Sequence, residues 1–182
     1  MPFIETGIKD LKIFEPQVWG DERGYFFESF NSQTFEQAGI DAQFVQDNQA
    51  RSTYGVLRGL HYQTGEYAQA KLVRVLEGTV LDVVVDLRPE SPTYGKHVGV
   101  ELSAENKRQL FVPRGFAHGY VVLSPTAEFF YKCDNFYHKA SEGGLIYNDP
   151  QLKIDWKIDL AAAQLSDKDK ELPTFGNHIP VR

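Results

Sequence analysis

The sequence contains little cysteine and no long apolar stretch. Its 182 residues include a single cysteine, Cys133, so no disulfide can form within the chain, which fits a reducing compartment. No segment approaches the roughly 20 apolar residues that a membrane-spanning helix needs, and the first residues mix charged with apolar side chains, unlike a signal peptide. These absences predict a cytoplasmic protein without a membrane-bound part.

The sequence also lacks an excess of basic residues. Its formal net charge is −6. A nucleic-acid surface needs a basic patch that displaces counterions, so we expect no nucleic-acid partner. An anionic small molecule is still compatible with this charge, because a pocket needs only a few well-placed cations.

Metal ligands at their usual spacings are absent as well. None of the five histidines forms a His-x-His or His-x-x-x-His pattern, and one cysteine excludes paired-cysteine zinc sites. We therefore expect neither a metal nor another cofactor. Any chemistry would then depend on acid and base side chains.

What the sequence does contain is a series of short runs rich in Val, Leu, Phe and Tyr, separated by turn residues. With 42% hydrophobic and 13% aromatic residues, it can form one sizeable core, and we predict a single domain over residues 1–182. Many short strands without long helices between them predict an antiparallel sandwich or barrel. The predicted strands are Lys71–Leu76, Val80–Leu87, His97–Leu102, Gln109–Val112, Gly119–Leu123 and Ala127–Cys133.

Two short helices are predicted beside these strands. The first is Ser32–Ala38, with Asn31 or Ser32 as its N-cap and Gly39 just past its end. The second is Leu160–Leu165, which contains three consecutive alanines.

Alternation along the strands assigns side chains to faces. Asp82, Val84 and Asp86 share one face, and Lys71 and Val73 share another. Most charged strand residues are expected on the solvent side of a sheet, whereas a few would line a pocket at the open end of a barrel.

Two histidines stand out from the other three, which lie beside polar or turn residues. His61 follows Arg58 within apolar strand sequence, and strict alternation would send these two side chains to opposite faces. A bulge or sharp twist at Gly59 would bring them together. His118 lies within the turn-to-strand segment Pro113–Gly119. A lone histidine in a strand is more often satisfied by a backbone carbonyl than used in chemistry, so His61 by itself specifies no reaction.

The segment Pro113–Gly119 matches the second motif of the cupin barrels. Metal-binding cupins carry His-x-His in their first motif, whereas the matching residues here are His61, Tyr62 and Gln63, so that a glutamine replaces the second histidine. A metal site is therefore not expected.

A more specific resemblance covers most of the chain. The blocks that carry it are Gly20–Phe30, Phe44–Asn48, Val56–Gln63, Lys71–Arg74, Gln109–Gly119, Tyr131–Lys132, Asn148–Pro150 and Leu165–Asp169. Together and in this order they resemble the dTDP-4-dehydrorhamnose 3,5-epimerase family. The resemblance implies a mainly β, cupin-type antiparallel barrel (jelly roll) with a few short helices, and a homodimer that exchanges N-terminal segments.

The implied reaction inverts C3 and C5 of dTDP-4-dehydro-6-deoxy-D-glucose to give dTDP-4-dehydro-L-rhamnose without a metal or cofactor. By resemblance His61 is the base and Tyr131 the acid. Asp169 matches the aspartate that pairs with the histidine, although Asp167 lies only two residues away. Lys71 matches the lysine placed to stabilise the enolate oxygen. Without the resemblance, Tyr131 would be a core or edge aromatic and Lys71 a solvated strand lysine.

The remaining matched positions are expected to bind substrate. Arginine and lysine side chains suit the diphosphate, and the polar side chains suit the sugar and base. These predicted binding residues are Arg23, Glu28, Gln46, Asp47, Asn48, Arg58, Lys71, His118, Glu142 and Lys168.

Other functions are compatible with part of this pattern. A relative that inverts only C3 or only C5 would carry the same histidine and tyrosine. A non-catalytic cupin sugar-binding module would not need an acid and a base in one pocket. A metal-dependent cupin isomerase or dioxygenase would contain stoichiometric metal.

Overall fold

Short strands separated by turns occupy much of the chain, as predicted. The computed structural model describes residues 2–181. The strands are β1 (Phe3–Glu5), β2 (Lys12–Phe14), β3 (Trp19–Asp21), β4 (Gly24–Phe26), β5 (Gln46–Thr53), β6 (Leu57–Gln63), β7 (Lys71–Glu77), β8 (Thr79–Asp86), β9 (His97–Ser103), β10 (Gln109–Val112), β11 (Phe116–Val122), β12 (Thr126–Cys133) and β13 (Glu142–Gly144). The helices are α1 (Ser32–Gln37) and α2 (Asp167–Lys170), with 3₁₀ turns at Gly65–Tyr67, Lys139–Ser141 and Leu160–Ala162.

Two antiparallel sheets form the barrel. The six-stranded sheet has the order β1-β2-β10-β7-β12-β5, and the five-stranded sheet has the order β13-β6-β11-β8-β9. Strands β3 and β4 pair only with each other, as a separate hairpin. The expected mainly β, cupin-type jelly roll with few short helices is confirmed.

The space between the two sheets is apolar over most of its length. Val73 and Val75 of β7 face Val84 of β8 across it, with Val122 and Phe129 packed against them, and all five are buried. The predicted alternation of β7 is thus correct, because Lys71 lies on this same inner face, further along the strand. One end of the barrel is therefore a valine-rich core, and the other end carries polar side chains.

The outer face of the five-stranded sheet is covered by the C-terminal part of the chain. Leu81 and Val83 pack beneath Leu145 and Trp156, so β8 is buried on both faces. The expectation that charged strand residues face solvent is therefore wrong for Asp82 and Asp86, which are both 0% exposed. Asp86 is satisfied by hydrogen bonds from Arg88, Ser91 and Thr93.

The outer face of the six-stranded sheet is covered by α1. Phe35 of this helix packs against Phe14 and Leu72. Of the two predicted N-cap candidates, Asn31 is the N-cap, because its side-chain oxygen accepts hydrogen bonds from the first turn of the helix.

Two predicted elements differ in extent. Strand β11 begins at Phe116 rather than Gly119. The predicted helix Leu160–Leu165 is only a 3₁₀ turn, Leu160–Ala162, because the backbone of Gln164 bonds to Gly55 and Leu57 instead. In the described range, 2–181, no helix is long and apolar enough to cross a membrane.

Candidate active site

The polar end of the barrel contains a cavity of about 510 Å³ between the two sheets. The residues predicted from sequence that line it are Arg58, His61, Lys71, His118, Tyr131, Lys168 and Asp169. They come from four strands and from α2, so the cavity forms only when both sheets and the C-terminal segment are in place.

A bulge in β6 brings Arg58 and His61 into this cavity. His118 of β11 lies opposite His61, but Tyr120 lies opposite Arg58, so β6 contains one residue more than its partner between these pairs. Gly59 occupies the bulge with φ of 122°, a backbone conformation that residues with a side chain rarely adopt. The predicted role of Gly59 is confirmed, since the extra residue turns both side chains towards the same space.

His61 pairs with a buried carboxylate. Its Nε2 lies 2.6 Å from Asp169 Oδ1, and Asp169 is 3% exposed. The backbone N–H of Asp169 donates to Ser166 Oγ at 3.1 Å, which places the aspartate in the first turn of α2. Burial by itself would raise the pKa of Asp169, but hydrogen bonds from His61, Gly59 and Ser166 lower it overall.

The alternative partner of His61 points away from the cavity. The side chain of Asp167 is 98% exposed and pairs with Lys170. Of the two aspartates that the sequence left open, Asp169 is therefore the one that contacts His61.

Tyr131 and Lys71 lie on the six-stranded sheet, across the cavity from His61. Burial raises the pKa of Tyr131 to about 12, so its phenol keeps its proton at neutral pH. Lys71 Nζ lies 5.8 Å from the centroid of the Tyr131 ring. Burial lowers the pKa of Lys71, although electrostatic interactions with Cys133, Asp82 and Glu142 oppose this shift. The cavity thus has an imidazole on one sheet, with a phenol and an amine on the other.

A second histidine–aspartate pair lies beside the first. His118 Nε2 contacts both carboxylate oxygens of Asp82, at 2.9 and 3.1 Å. Both side chains are buried. Burial raises the pKa of Asp82, while His118 and Lys71 act in the opposite direction. Asp82 therefore orients His118 from beneath the cavity, as a carboxylate behind an imidazole does.

Arg58 and Lys168 provide positive charge at the cavity wall. The Nε and Nη2 atoms of Arg58 donate to Ser52 Oγ at 3.2 and 3.1 Å, which fixes the plane of the guanidinium. Lys168 Nζ pairs with Glu142 Oε1 at 2.7 Å. A fixed guanidinium and an ammonium suit the two phosphates of a nucleotide diphosphate.

A second chamber, of about 290 Å³, adjoins the first and shares His61, Lys71 and Tyr131 with it. The predicted residues Gln46, Asn48 and Glu142 line this chamber. Gln63 and Tyr137 line it too and were not predicted as site residues. The signal available for Tyr137 was an aromatic pair, Phe136 and Tyr137, directly after the strand that carries Tyr131.

Three predicted binding residues lie outside both chambers. Asp47 points outwards because alternation in β5 turns Gln46 and Asn48 inwards, and it pairs with Lys132. Arg23 is exposed on the β3–β4 hairpin, where it pairs with Asp21. Glu28 follows this hairpin and accepts a hydrogen bond from Asn31. The site that a single chain forms is therefore smaller than the predicted one.

Over residues 2–181, no group of three or more His, Cys, Asp or Glu side chains is arranged to hold a metal ion. Gln63, the residue in place of the second cupin histidine, instead accepts a hydrogen bond from the backbone N–H of His138 at 2.9 Å.

Comparison with known proteins gives consistent matches over nearly the whole chain. A family model described as dTDP-4-dehydrorhamnose 3,5-epimerase matches residues 5–177. A protein of that name from Shigella flexneri is 58% identical over 170 residues, which cover 93% of each chain. The crystal structure of dTDP-4-dehydrorhamnose 3,5-epimerase from Elizabethkingia anophelis NUHP1 is 58% identical, with a TM-score of 0.94 and 96% of each chain covered.

Two further solved structures contain bound ligands. The 3,5-epimerase from Legionella pneumophila Philadelphia 1, in complex with dTDP-4-keto-L-rhamnose, is 53% identical, with a TM-score of 0.92 over 96% of this chain and 93% of that chain. A 3'-monoepimerase from Streptomyces bikiniensis, in complex with dTDP-quinovose, is 36% identical, with a TM-score of 0.87 over 93% of this chain and 86% of that chain.

Proposed function

The chain belongs to the dTDP-4-dehydrorhamnose 3,5-epimerase family, and from that premise we propose that it inverts C3 and C5 of dTDP-4-dehydro-6-deoxy-D-glucose. The product is dTDP-4-dehydro-L-rhamnose. The observation that carries this proposal is the cavity in which the His61–Asp169 pair on one side faces Tyr131 and Lys71 on the other.

Inversion next to a ketone needs a base and an acid on opposite faces of the sugar. His61 removes the proton from C3 or C5, and Asp169 holds the imidazole and stabilises the imidazolium that forms. The electron pair of the broken C–H bond moves into the C4 carbonyl and gives an enolate. Lys71 stabilises the negative charge on O4.

Tyr131 then donates its proton to the same carbon from the other face. Its raised pKa, about 12, keeps the phenol protonated before this step and makes the resulting phenolate a strong base. Water returns a proton to Tyr131 and removes one from His61, so both groups are restored for the second carbon. The inverted positions therefore acquire hydrogen from solvent.

The nucleotide lies along the two chambers. Arg58 and Lys168 bind the diphosphate, and His118 contacts the sugar. Gln46, Asn48 and Glu142 provide polar contacts in the second chamber. The exposed ring of Tyr137 at its rim is a stacking surface for thymine.

A homodimer explains the residues that lie outside the chambers. The β3–β4 hairpin exposes Trp19, Tyr25 and Phe26, which are 55%, 64% and 65% exposed. We place this hairpin against a second copy of the chain, so that its Arg23 and the following Glu28 reach the partner's substrate. Asp47, on the outer face of β5, remains a predicted substrate contact.

We also propose that residues 1–182 act as one domain without a cofactor and that the enzyme works in the cytoplasm. The single cysteine, which cannot form an intrachain disulfide, supports this compartment.

The similarity to a 3'-monoepimerase supports a second candidate, inversion at one carbon only. Proton NMR of dTDP-4-dehydro-6-deoxy-D-glucose with the enzyme in deuterium oxide separates the two functions. Deuterium at both C3 and C5 supports the 3,5-epimerase, and deuterium at one carbon supports the single-site enzyme. If neither C3 nor C5 exchanges its hydrogen, both proposed functions are refuted.

A further inference from the structure

The segment that follows β12 is held in an unusual way. We call residues 135–138 the rim segment, because Tyr137 lies at the rim of the second chamber. The backbone N–H groups of Phe136, Tyr137 and His138 donate to Asn135 Oδ1, Gln46 Oε1 and Gln63 Oε1, at 2.9, 3.3 and 2.9 Å. Three consecutive backbone donors are thus satisfied by side-chain amides rather than by a neighbouring strand.

The two glutamines reach the rim segment from opposite sheets. Gln46 begins β5 of the six-stranded sheet, and Gln63 ends β6 of the five-stranded sheet. Gln63 is only 5% exposed, so removal of its oxygen would leave the N–H of His138 without this buried acceptor. The His138 ring also stacks on Tyr67, with centroids 4.0 Å apart.

The fixed backbone carries exposed aromatic side chains. Phe136 is 62% exposed and Tyr137 is 53% exposed. The Tyr137 phenol donates to Glu142 Oε2 at 3.2 Å, which orients the ring at the chamber entrance. An aromatic surface that is already in place loses little entropy when a planar ligand stacks on it.

We infer that Gln63 is a positioning residue that holds Tyr137 in place and thereby sets the affinity for the pyrimidine base of the substrate. The inference rests on the proposed function, because it takes the ligand to be a nucleotide sugar. Gln63 lies on the same face of β6 as His61, so a direct contact between its amide and the ligand is the competing explanation.

A double-mutant cycle distinguishes these roles. We expect Gln63→Met, which keeps the side-chain length but removes the acceptor, to weaken dTDP binding about tenfold in calorimetric titrations. Pyrophosphate, which has no base to stack, should bind unchanged. For the nucleotide sugar, KM should rise while kcat stays near the wild-type value. Tyr137→Leu should also weaken dTDP binding, and Gln63→Met should cause little further loss in that background.

Three results would overturn the inference. The same loss of dTDP affinity with and without Tyr137 would indicate direct contact by Gln63. An equal loss for pyrophosphate would indicate a general structural effect, and unchanged dTDP binding by Gln63→Met would remove the role altogether. Wild-type protein that binds no dTDP would instead contradict the proposed function.

Two further variants serve as controls for the binding measurements on Gln63→Met. Gln49→Met alters a glutamine on the outer face of β5, where it contacts Glu128, and should change neither affinity nor turnover. Gln63→Glu retains an acceptor oxygen and should keep the wild-type ratio of dTDP to pyrophosphate affinity. If Gln63→Glu changes the ratio of dTDP to pyrophosphate affinity, the inference is contradicted. If Gln63→Met does not fold, Gln63→Leu takes its place in the double-mutant cycle.

Discussion

At the scale of single residues, the distance along the chain between two site residues determines whether their contact could be predicted from the sequence. Arg58 and His61 are close in sequence, so a bulge at Gly59 could be proposed from their pattern alone. Asp169 lies far along the chain from His61, and only the family resemblance pointed to it. The register of the family motif favoured Asp169 over Asp167, but the residues around them gave no physical reason for the choice, because the difference arises from how α2 meets β6.

These two aspartates form a matched pair of variants. Asp169→Asn should lower kcat about 10²–10⁴-fold, because an amide neither holds the same histidine tautomer nor stabilises the imidazolium. Asp167→Asn should leave kcat unchanged, since its side chain is exposed. Steady-state kinetics with a coupled reductase measures both. Equal losses in the two variants would contradict the assignment of Asp169.

The roles of His61 and Tyr131 separate in deuterium oxide. In Tyr131→Phe, His61 can still remove a proton and return a deuteron to the same face, so exchange should continue while inversion falls about 100-fold or more. In His61→Ala, exchange and inversion should both be lost. NMR of substrate and product measures exchange and inversion separately. Normal inversion by Tyr131→Phe would require another acid.

The pH dependence of turnover should report the ionisation of Lys71. Burial lowers the pKa of Lys71 below the value of about 10.4 that is usual for lysine, so as pH rises Lys71 should lose its stabilising charge before an exposed lysine would. The phenol of Tyr131, with a pKa of about 12, ionises only at higher pH. Lys71→Arg keeps its charge and should move the alkaline limb of the kcat profile upwards. If the alkaline limb of the kcat profile is unchanged in Lys71→Arg, the ionisation that it reports belongs to another group.

At the scale of elements, sequence patterns succeed where strands are apolar and fail where they are not. Strand β10 has the predicted bounds, Gln109–Val112, and β7 and β12 differ from prediction by one residue at an end. Strand β5 was not predicted, because its polar sequence suits an edge strand with one exposed face. The face assignments of β8 could not be settled from β8 alone, since the C-terminal segment that buries its outer side lies much later in the chain.

The bulge in β6 is an element-scale feature with a direct test. A Cβ at Gly59 would lie 2.6 Å from Gly119 Cα and 2.9 Å from His118 O, and both contacts are with backbone. Gly59→Ala should therefore reduce the free energy of unfolding by about 2–4 kcal/mol. Urea denaturation of the variant and of the wild-type protein measures the difference, and equal stabilities would contradict this role of the bulge.

At the scale of the whole molecule, the position of Arg23 predicts complementation between subunits. If the hairpin serves the partner's cavity, Arg23→Ala and His61→Ala homodimers are each impaired at both sites. A mixed dimer has one site with both residues intact. After subunit exchange, equal amounts of the two variants should regain about one quarter of wild-type activity.

Light scattering of the wild-type protein checks the dimer itself. No recovery of activity in subunits that are known to have exchanged would place Arg23 at its own chain's cavity or at no cavity. Activity by a monomer would contradict the hairpin exchange.

The division of the barrel into an apolar end and a polar end has a mechanical consequence. His61 and Tyr131 belong to opposite walls, because β6 and β12 lie in different sheets, and among residues 2–181 these two strands are not hydrogen-bonded to each other. The buried valines at the apolar end, Val73, Val75, Val84 and Val122, pack between the two walls and determine how far apart they stand. Side chains that never meet the sugar therefore control how far a proton must travel on each of its faces.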